Sequence, residues 1–206
     1  MFRRTNNLTR EAYSSEMWIS LRRLGLLCFV LLISAMGQPA RAQAAAGEYQ
    51  VKAAFLFHFA QFLEWPADAV RAGDSSLSLC IFDDEPRRQE LQSTIEGKPI
   101  GARVLHIRLI SRPQEIQGCN ILFLSRDEGW RQAPILKSLR GMPILTVGET
   151  SDFLSDGGMI RFHLEEDKIR FDINLAAAES ARLKISSRLL LLATSVSRSG
   201  VTDRGR

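Results

Sequence analysis

The sequence predicts an α/β fold: a single three-layer domain with a mixed, mostly parallel sheet, helices on both faces and a C-terminal β-hairpin. Three observations predict it. Glu48–Pro66, E-Y-Q-V-K-A-A-F-L-F-H-F-A-Q-F-L-E-W-P, is helical in period and apolar over most of its circumference, so it must be covered by protein. Downstream, strand-length apolar runs alternate with helical segments about every 20–25 residues, as in parallel β-α units. Near the end, two alternating runs flank Glu165-Glu166-Asp167, the pattern of a hairpin.

At the helical step of about 100° per residue, Gln50, His58, Gln61 and Glu64 share one arc of the first helix. Lys52 alone interrupts the apolar remainder. It must snorkel outward or pair with a carboxylate, because an unpaired buried ammonium is costly. Pro66 ends the helix by pushing Trp65 out of the helical region. A membrane span is not expected, since Lys, His, Gln and Glu break the run where a bilayer needs roughly 20 apolar residues.

Ala67 to Ser76 is a polar loop and Leu77–Phe82 a buried strand. Asp83-Asp84-Glu85-Pro86 opens a helix that runs to about Glu96, with an Asp as cap and Pro in the first turn. Gly97-Lys98-Pro99 turns the chain into a strand over Ala102–Ile110, which Ser111-Arg112-Pro113 stops. Cys119–Leu124 is a further strand, and Trp130–Arg140 is a helix closed by Gly141. Pro143–Val147 is the next strand, and Asp156-Gly157-Gly158 is a turn. Met159–Leu164 and Lys168–Ile173 form the hairpin, and Leu175–Ala181 a short helix. Ser186 or Ser187 caps a last helix through Leu192, and a solvated tail runs over residues 197–206.

The N-terminus reads as an address. Arg22-Arg23 precede the apolar run Leu24–Met36, and Ala40-Arg41-Ala42 predicts cleavage after Ala42, with Ala44 or Ala46 as alternatives. Residues 1–42 are therefore expected to be a signal peptide, with Met17 as an alternative start, ahead of a domain over 43–196. A lipoprotein is not expected, because Leu27 precedes Cys28 where a small residue is needed. Removing the leader takes the totals from 27 basic and 23 acidic residues to 21 of each. The mature chain is near neutral, which argues against a nucleic-acid partner. The leader predicts a periplasmic protein with no membrane span after cleavage.

Cys80 and Cys119 remain, each at or near an end of an apolar run. In an oxidising compartment an even count argues for a disulfide, and two buried free thiols are the alternative. With His58, His106 and His163 they show no metal-ligand spacing, and no cofactor is implied.

The best enzyme-like signal is Asp83-Asp84 at a strand end, with Asp127 after the Cys119–Leu124 strand and Thr146 near the end of the next. A receiver domain places an acidic pair, an acceptor Asp and a Thr in this way. The match breaks because no Lys follows a fifth strand: Lys168 begins one. Helix capping and a solvated rim are the simpler reading. Asp83, Asp84 and Asp127 remain candidates for a small-molecule crevice at the strand ends. The chain has no G-x-S-x-G, H-E-x-x-H or G-x-G-x-x-G, and we expect no enzyme.

Four ordered motifs then resemble the YfiR family: Y-Q-V-K-A-A-F-L-F-H-F-A-Q-F-L-E-W-P (49–66), P-I-L-T-V-G-E-T (143–150), G-G-M-I-R-F (157–162), and R-F-D-I-N-L-A-A-A-E (170–179) followed by L-K-I-S-S-R-L-L (183–190). The resemblance covers about residues 48–193. It implies a small periplasmic α/β protein, often a homodimer. Its best-known member restrains an inner-membrane diguanylate cyclase through that enzyme's periplasmic sensor region, lowering cyclic-di-GMP and biofilm formation. The partner implied here is such a cyclase or another membrane sensor protein. Cys80 and Cys119 match one disulfide of the family, whereas the pair around the Gly-Gly turn is absent, the segment reading F-L-S-D-G-G-M-I-R-F.

The resemblance also makes the C-terminal strand partner-facing, with Phe171, Asp172 and Ile173 as binding residues. Alternation puts Phe171 and Ile173 on one face and Asp172 on the other, where an exposed contact is expected. Core packing is the other reading of the apolar pair. A small-molecule sensor is the alternative function.

Overall fold

The structure, a computed structural model, describes residues 40–70, 73–82 and 85–198. The leader up to residue 39, Asp83, Asp84 and the tail from residue 199 lie outside the described residues. The chain divides into two units, Met1–Ala45 and Ala46–Arg206, and the second carries the sheet.

An eight-stranded sheet has the order β10-β8-β7-β6-β5-β2-β4-β3. The central strands β2 (Ser76–Phe82), β4 (Arg103–Ile110), β5 (Ile121–Leu124), β6 (Leu145–Gly148) and β7 (Ile160–Glu165) run parallel to one another. β8 (Lys168–Asn174) returns antiparallel to β7, giving the predicted hairpin. Its turn places Glu166 and Asp167 at φ of 49° and 57°. Positive φ at both central residues gives the connection the twist of a primed turn. The edges are β3 (Pro99–Ile100) and β10 (Ser195–Ser197), which pairs parallel with β8. β10 lies partly where a solvated tail was expected.

Period-two alternation divides the core between the two sheet faces. Leu77, Leu79 and Ile81 of β2 join one cluster, Cys80 and Phe82 the other. On the first face lies α1 (Ala40–Gln61), which buries Ala53, Leu56, Phe59 and Ala60 while Val51 and Ala54 stay exposed. Phe55 and Phe59 pack on Phe171, with centroids 5.5 and 5.0 Å apart, and Phe59 stacks on Phe162 at 5.6 Å. α2 (Glu85–Ile95) adds Leu91 and Ile95 to this cluster, and α4 (Leu175–Ser180) adds Leu175 and Ala178. α5 (Ser187–Leu192) contributes Leu189. α3 (Gly129–Ser138) covers the second face with Ile135 and Leu136.

The first helix ends earlier than the proline rule suggests. Phe62 makes the last helical bond, donating to the His58 carbonyl at 2.9 Å, and Leu63–Glu64 (β1) then pairs antiparallel with Lys184–Ile185 (β9). A long-range strand pair outcompetes the last turn before Pro66.

Two glycines of the quoted motifs are fixed by close approach. Phe153 is fully buried, and a Cβ on Gly148 or Gly158 would lie 2.1 or 2.2 Å from its ring. The ring is clasped between the two backbones, so neither position tolerates a side chain.

Cys80 and Cys119 form a disulfide with Cα atoms 5.8 Å apart, joining β2 to the residues entering β5. Arg108 braces the same corner, donating to the carbonyls of Glu115 and Gln117 and lying 3.1 Å from Cys119 Sγ. The Ser111 backbone N–H, followed by the Arg112 guanidinium, holds the Glu115 carboxyl below its ordinary range in the turn leading to Cys119. The bridge closes a separation of 39 residues. Replacing both cysteines by alanine is expected to lower unfolding free energy by about 3–4 kcal/mol. Urea titration checks this, and coincident curves with and without reductant for the wild type would show that the bridge does not stabilise the fold.

Candidate functional site

The carboxyl ends of β5 and β6 carry a charge cluster that is largely out of water. Lys52 on α1 is 3% exposed, and its Nζ lies 2.5 Å from Oε1 of Glu149, which is 8% exposed. Glu48, one helical turn earlier, is a second ion-pair partner. The ammonium also lies 4.5 Å from the centre of the Tyr49 ring. Oε2 of Glu149 accepts the Arg126 backbone N–H at 3.0 Å and the Tyr49 hydroxyl at 3.5 Å. The cluster therefore ties α1 to the residues following both strands. Lys52 neither snorkels nor stands alone: it is buried and doubly paired.

A second buried charge lies in β8. Asp172 is 4% exposed, so the expected exposed contact is not what the structure holds. Its Oδ2 lies 2.6 Å from Arg161 Nη2 and 3.2 Å from His163 Nδ1, both on β7. Its Oδ1 accepts the Ser195 hydroxyl of β10 at 2.7 Å. Arg161 also donates to the Ser151 carbonyl at 3.0 Å, so the loop after β6 covers this face of the sheet. Alternation placed Asp172 opposite Phe171 and Ile173 correctly, but both faces of β8 are covered. Phe171 and Ile173 are 2% and 0% exposed and belong to the core beneath α1.

The segment over α5 and β10 exposes three apolar side chains. Leu191 and Leu192 on α5 are 85% and 62% exposed, and Val196 on β10 is 39% exposed. Among the described residues β10 ends the sheet, and no strand of theirs pairs with its outer row of backbone groups.

Of the acidic residues proposed for a crevice, Asp127 lies exposed in the 3-10 turn Arg126–Glu128 after β5, while Asp83 and Asp84 are outside the described residues. Asp127 lines neither the cavity of about 620 Å³ that opens at the amino ends of β2, β5 and β6 nor the one beside α3 and α4. His58 is exposed and meets only Gln61 and neighbouring rings, and His106 pairs with Glu96. Among the described residues no group of three or more His, Cys, Asp or Glu is arranged to hold a metal ion. No helix among them is long and apolar enough to cross a membrane.

The sequence singles out Lys52 as a charge needing a partner but does not name Glu149, which lies far along the chain in P-I-L-T-V-G-E-T. The signal available is that the two residues sit in separate motifs whose apolar neighbours are both core.

The architecture is a three-layer α/β domain whose sheet ends, among the described residues, at β3 and at β10. The chain belongs to the YfiR/HmsC-like family, which it matches over residues 49–194, so Lys52, Glu149 and Asp172 all fall within the match. Among solved structures, a conserved domain protein from Vibrio cholerae O1 biovar eltor shares 10% identity and a TM-score of 0.42, over 63% of this chain and 57% of that one. The ABC domain from Streptococcus pneumonia, solved in complex with L-Trp, shares 9% identity and a TM-score of 0.43, over 64% of this chain and 58% of that one. The chain thus spans less than two thirds of the length of each.

Removing one partner from a buried ion pair strands the other. Lys52→Met is expected to cost about 3–5 kcal/mol of stability. Adding Glu149→Gln, which keeps an acceptor for the Arg126 N–H, should recover more than half of that loss. Chemical denaturation of the single and double variants measures the coupling; losses that simply add would show that the two groups act independently.

Proposed function

We propose that the chain is a periplasmic regulatory protein that restrains an inner-membrane signalling protein, a diguanylate cyclase, by binding the cyclase's periplasmic sensor region. Family membership over residues 49–194 supports the regulatory reading. The leader expected at residues 1–42 supports the compartment, and its first 39 residues lie outside the described residues.

The observation that carries the proposal is the β10 edge with Leu191, Leu192 and Val196 exposed beside it. An edge strand with an open outer side and apolar side chains nearby lets an extended partner segment gain main-chain hydrogen bonds and bury apolar area together. In this proposal Phe171, Asp172 and Ile173 act from beneath. The apolar pair anchors β8 to α1, and Asp172 fastens Ser195 so that β10 presents an ordered edge. Asp172→Lys would set a lysine against Arg161 and His163, so it reports on folding rather than on contact.

The test is a crosslinked pull-down of tagged mature protein from its host's inner membranes, comparing wild type with Leu191→Asp/Leu192→Asp. The expected result is recovery of one membrane protein with a periplasmic sensor segment and a cyclase output domain. The exposed-leucine variant should recover it about tenfold less well while melting at the wild-type temperature. Recovery of nothing above background, with the fold and the Cys80–Cys119 bridge intact, would overturn the reading. Self-association that the variant abolishes, without any membrane protein, would assign the edge to a homodimer instead.

A further inference from the structure

The second sheet face holds a cavity of about 330 Å³ between the end of α3, the loop before β7 and α4. Leu136, Leu139, Met159 and Ala177 give it apolar walls. Its polar lining is one-sided. Ser155 and Ser180 already donate their hydroxyl protons to the carbonyls of Asp152 and Ala176. Thr146 and Asn174, 2% and 4% exposed, do not spend all of theirs. Thr146 Oγ1 accepts the Met159 N–H at 3.1 Å, which leaves its own proton without an acceptor among the described residues. Asn174 uses its oxygen on the Ala177 N–H and one amide hydrogen on the Leu154 carbonyl, leaving the second hydrogen unspent.

Charge in the lining is equally one-sided. Arg140 is the only ionisable residue among the lining side chains, is exposed, and has no carboxylate partner among the described residues. Its Nε lies 3.8 Å from where a Cβ on Gly157 would stand, so the guanidinium rests against the loop at the rim. With no acidic residue in the lining, an ammonium group would find no counter-charge.

We propose that this cavity binds a small monocarboxylate with an apolar body and no amino group, Arg140 holding the carboxylate while the unspent donors of Thr146 and Asn174 favour acceptor oxygens. The volume lies at the lower end of the range for ligand sites, which suits a compact aliphatic or aromatic acid. Nothing in this inference depends on a membrane partner, and it is tested without one.

The experiment is ligand-observed NMR on the mature protein with hexanoate as probe and hexanamide as its neutral control. Hexanoate is expected to bind saturably, and hexanamide about tenfold more weakly, the loss of one charge-assisted contact. Arg140→Gln should reduce hexanoate to the level of the amide. Ala177→Leu, which fills the cavity, should abolish binding of both. Thermal melting confirms that each variant is folded; if Ala177→Leu is not, the exposed Arg140→Gln decides alone. Absence of saturable hexanoate binding at millimolar concentration, equal binding of acid and amide, or affinity unchanged in Arg140→Gln would each overturn the proposal.

Discussion

The structure depends on one constraint: an ammonium group is buried under the first helix. An unpaired charge there would cost several kcal/mol, so Lys52 must reach a carboxylate wherever α1 lies. Glu149 supplies it from the end of β6, and Glu48 from the previous turn. This fixes the rotation of α1 as well as its position. Ala53, Leu56, Phe59 and Ala60 face the sheet only when Lys52 points at the β6 end. A turn of the helix about its axis would expose Phe59 and strand the ammonium together. The pair acts on specificity at least as much as on stability, because an apolar substitute of similar size could fill the space without fixing the register.

The other sheet face is held by different means. There the apolar cluster is smaller, and covalent and polar links supplement it: the disulfide at one end, and at the other Gln132, 3% exposed, which donates to Asp156 at 2.7 Å and accepts from Thr150. Phe153, clasped by Gly148 and Gly158, joins the loop to the sheet between them. That loop contains no cysteine. A packed ring and hydrogen bonds hold it, and these do not respond to a thiol reductant.

How much of this was legible follows from the range of each interaction. Strands such as Leu77–Phe82 and the hairpin around Glu166-Asp167 are local patterns of period and turn, and the sequence shows them. The end of α1 at Gln61 was not legible, because the pairing of Leu63 with Ile185 joins residues far apart in the chain. β10 was missed for the same reason: S-V-S has no strand signal of its own and is ordered by β8 and by the bond from Ser195 to Asp172. Asp172 shows the limit most clearly. Alternation tells which residues share a face, but not whether that face is covered, and here Arg161, His163 and the loop from Ser151 cover it.

The two edges of the sheet differ in a way that bears on function. Sheet edges invite strand addition, and proteins blunt them with proline, charge or brevity. The β3 edge is two residues long, contains Pro99 and follows Lys98. The β10 edge is also short and is followed by exposed Arg198, but it has no proline or charge within Ser195–Ser197, and two exposed leucines of α5 precede it. Exposure of that kind is unfavourable in an isolated chain unless something covers it. Buried Asp172 makes the contrast sharper, since a charge is held out of water partly to order the strand that is left unprotected. The protected edge ends the fold, and the unprotected edge is where the proposed partner would continue it.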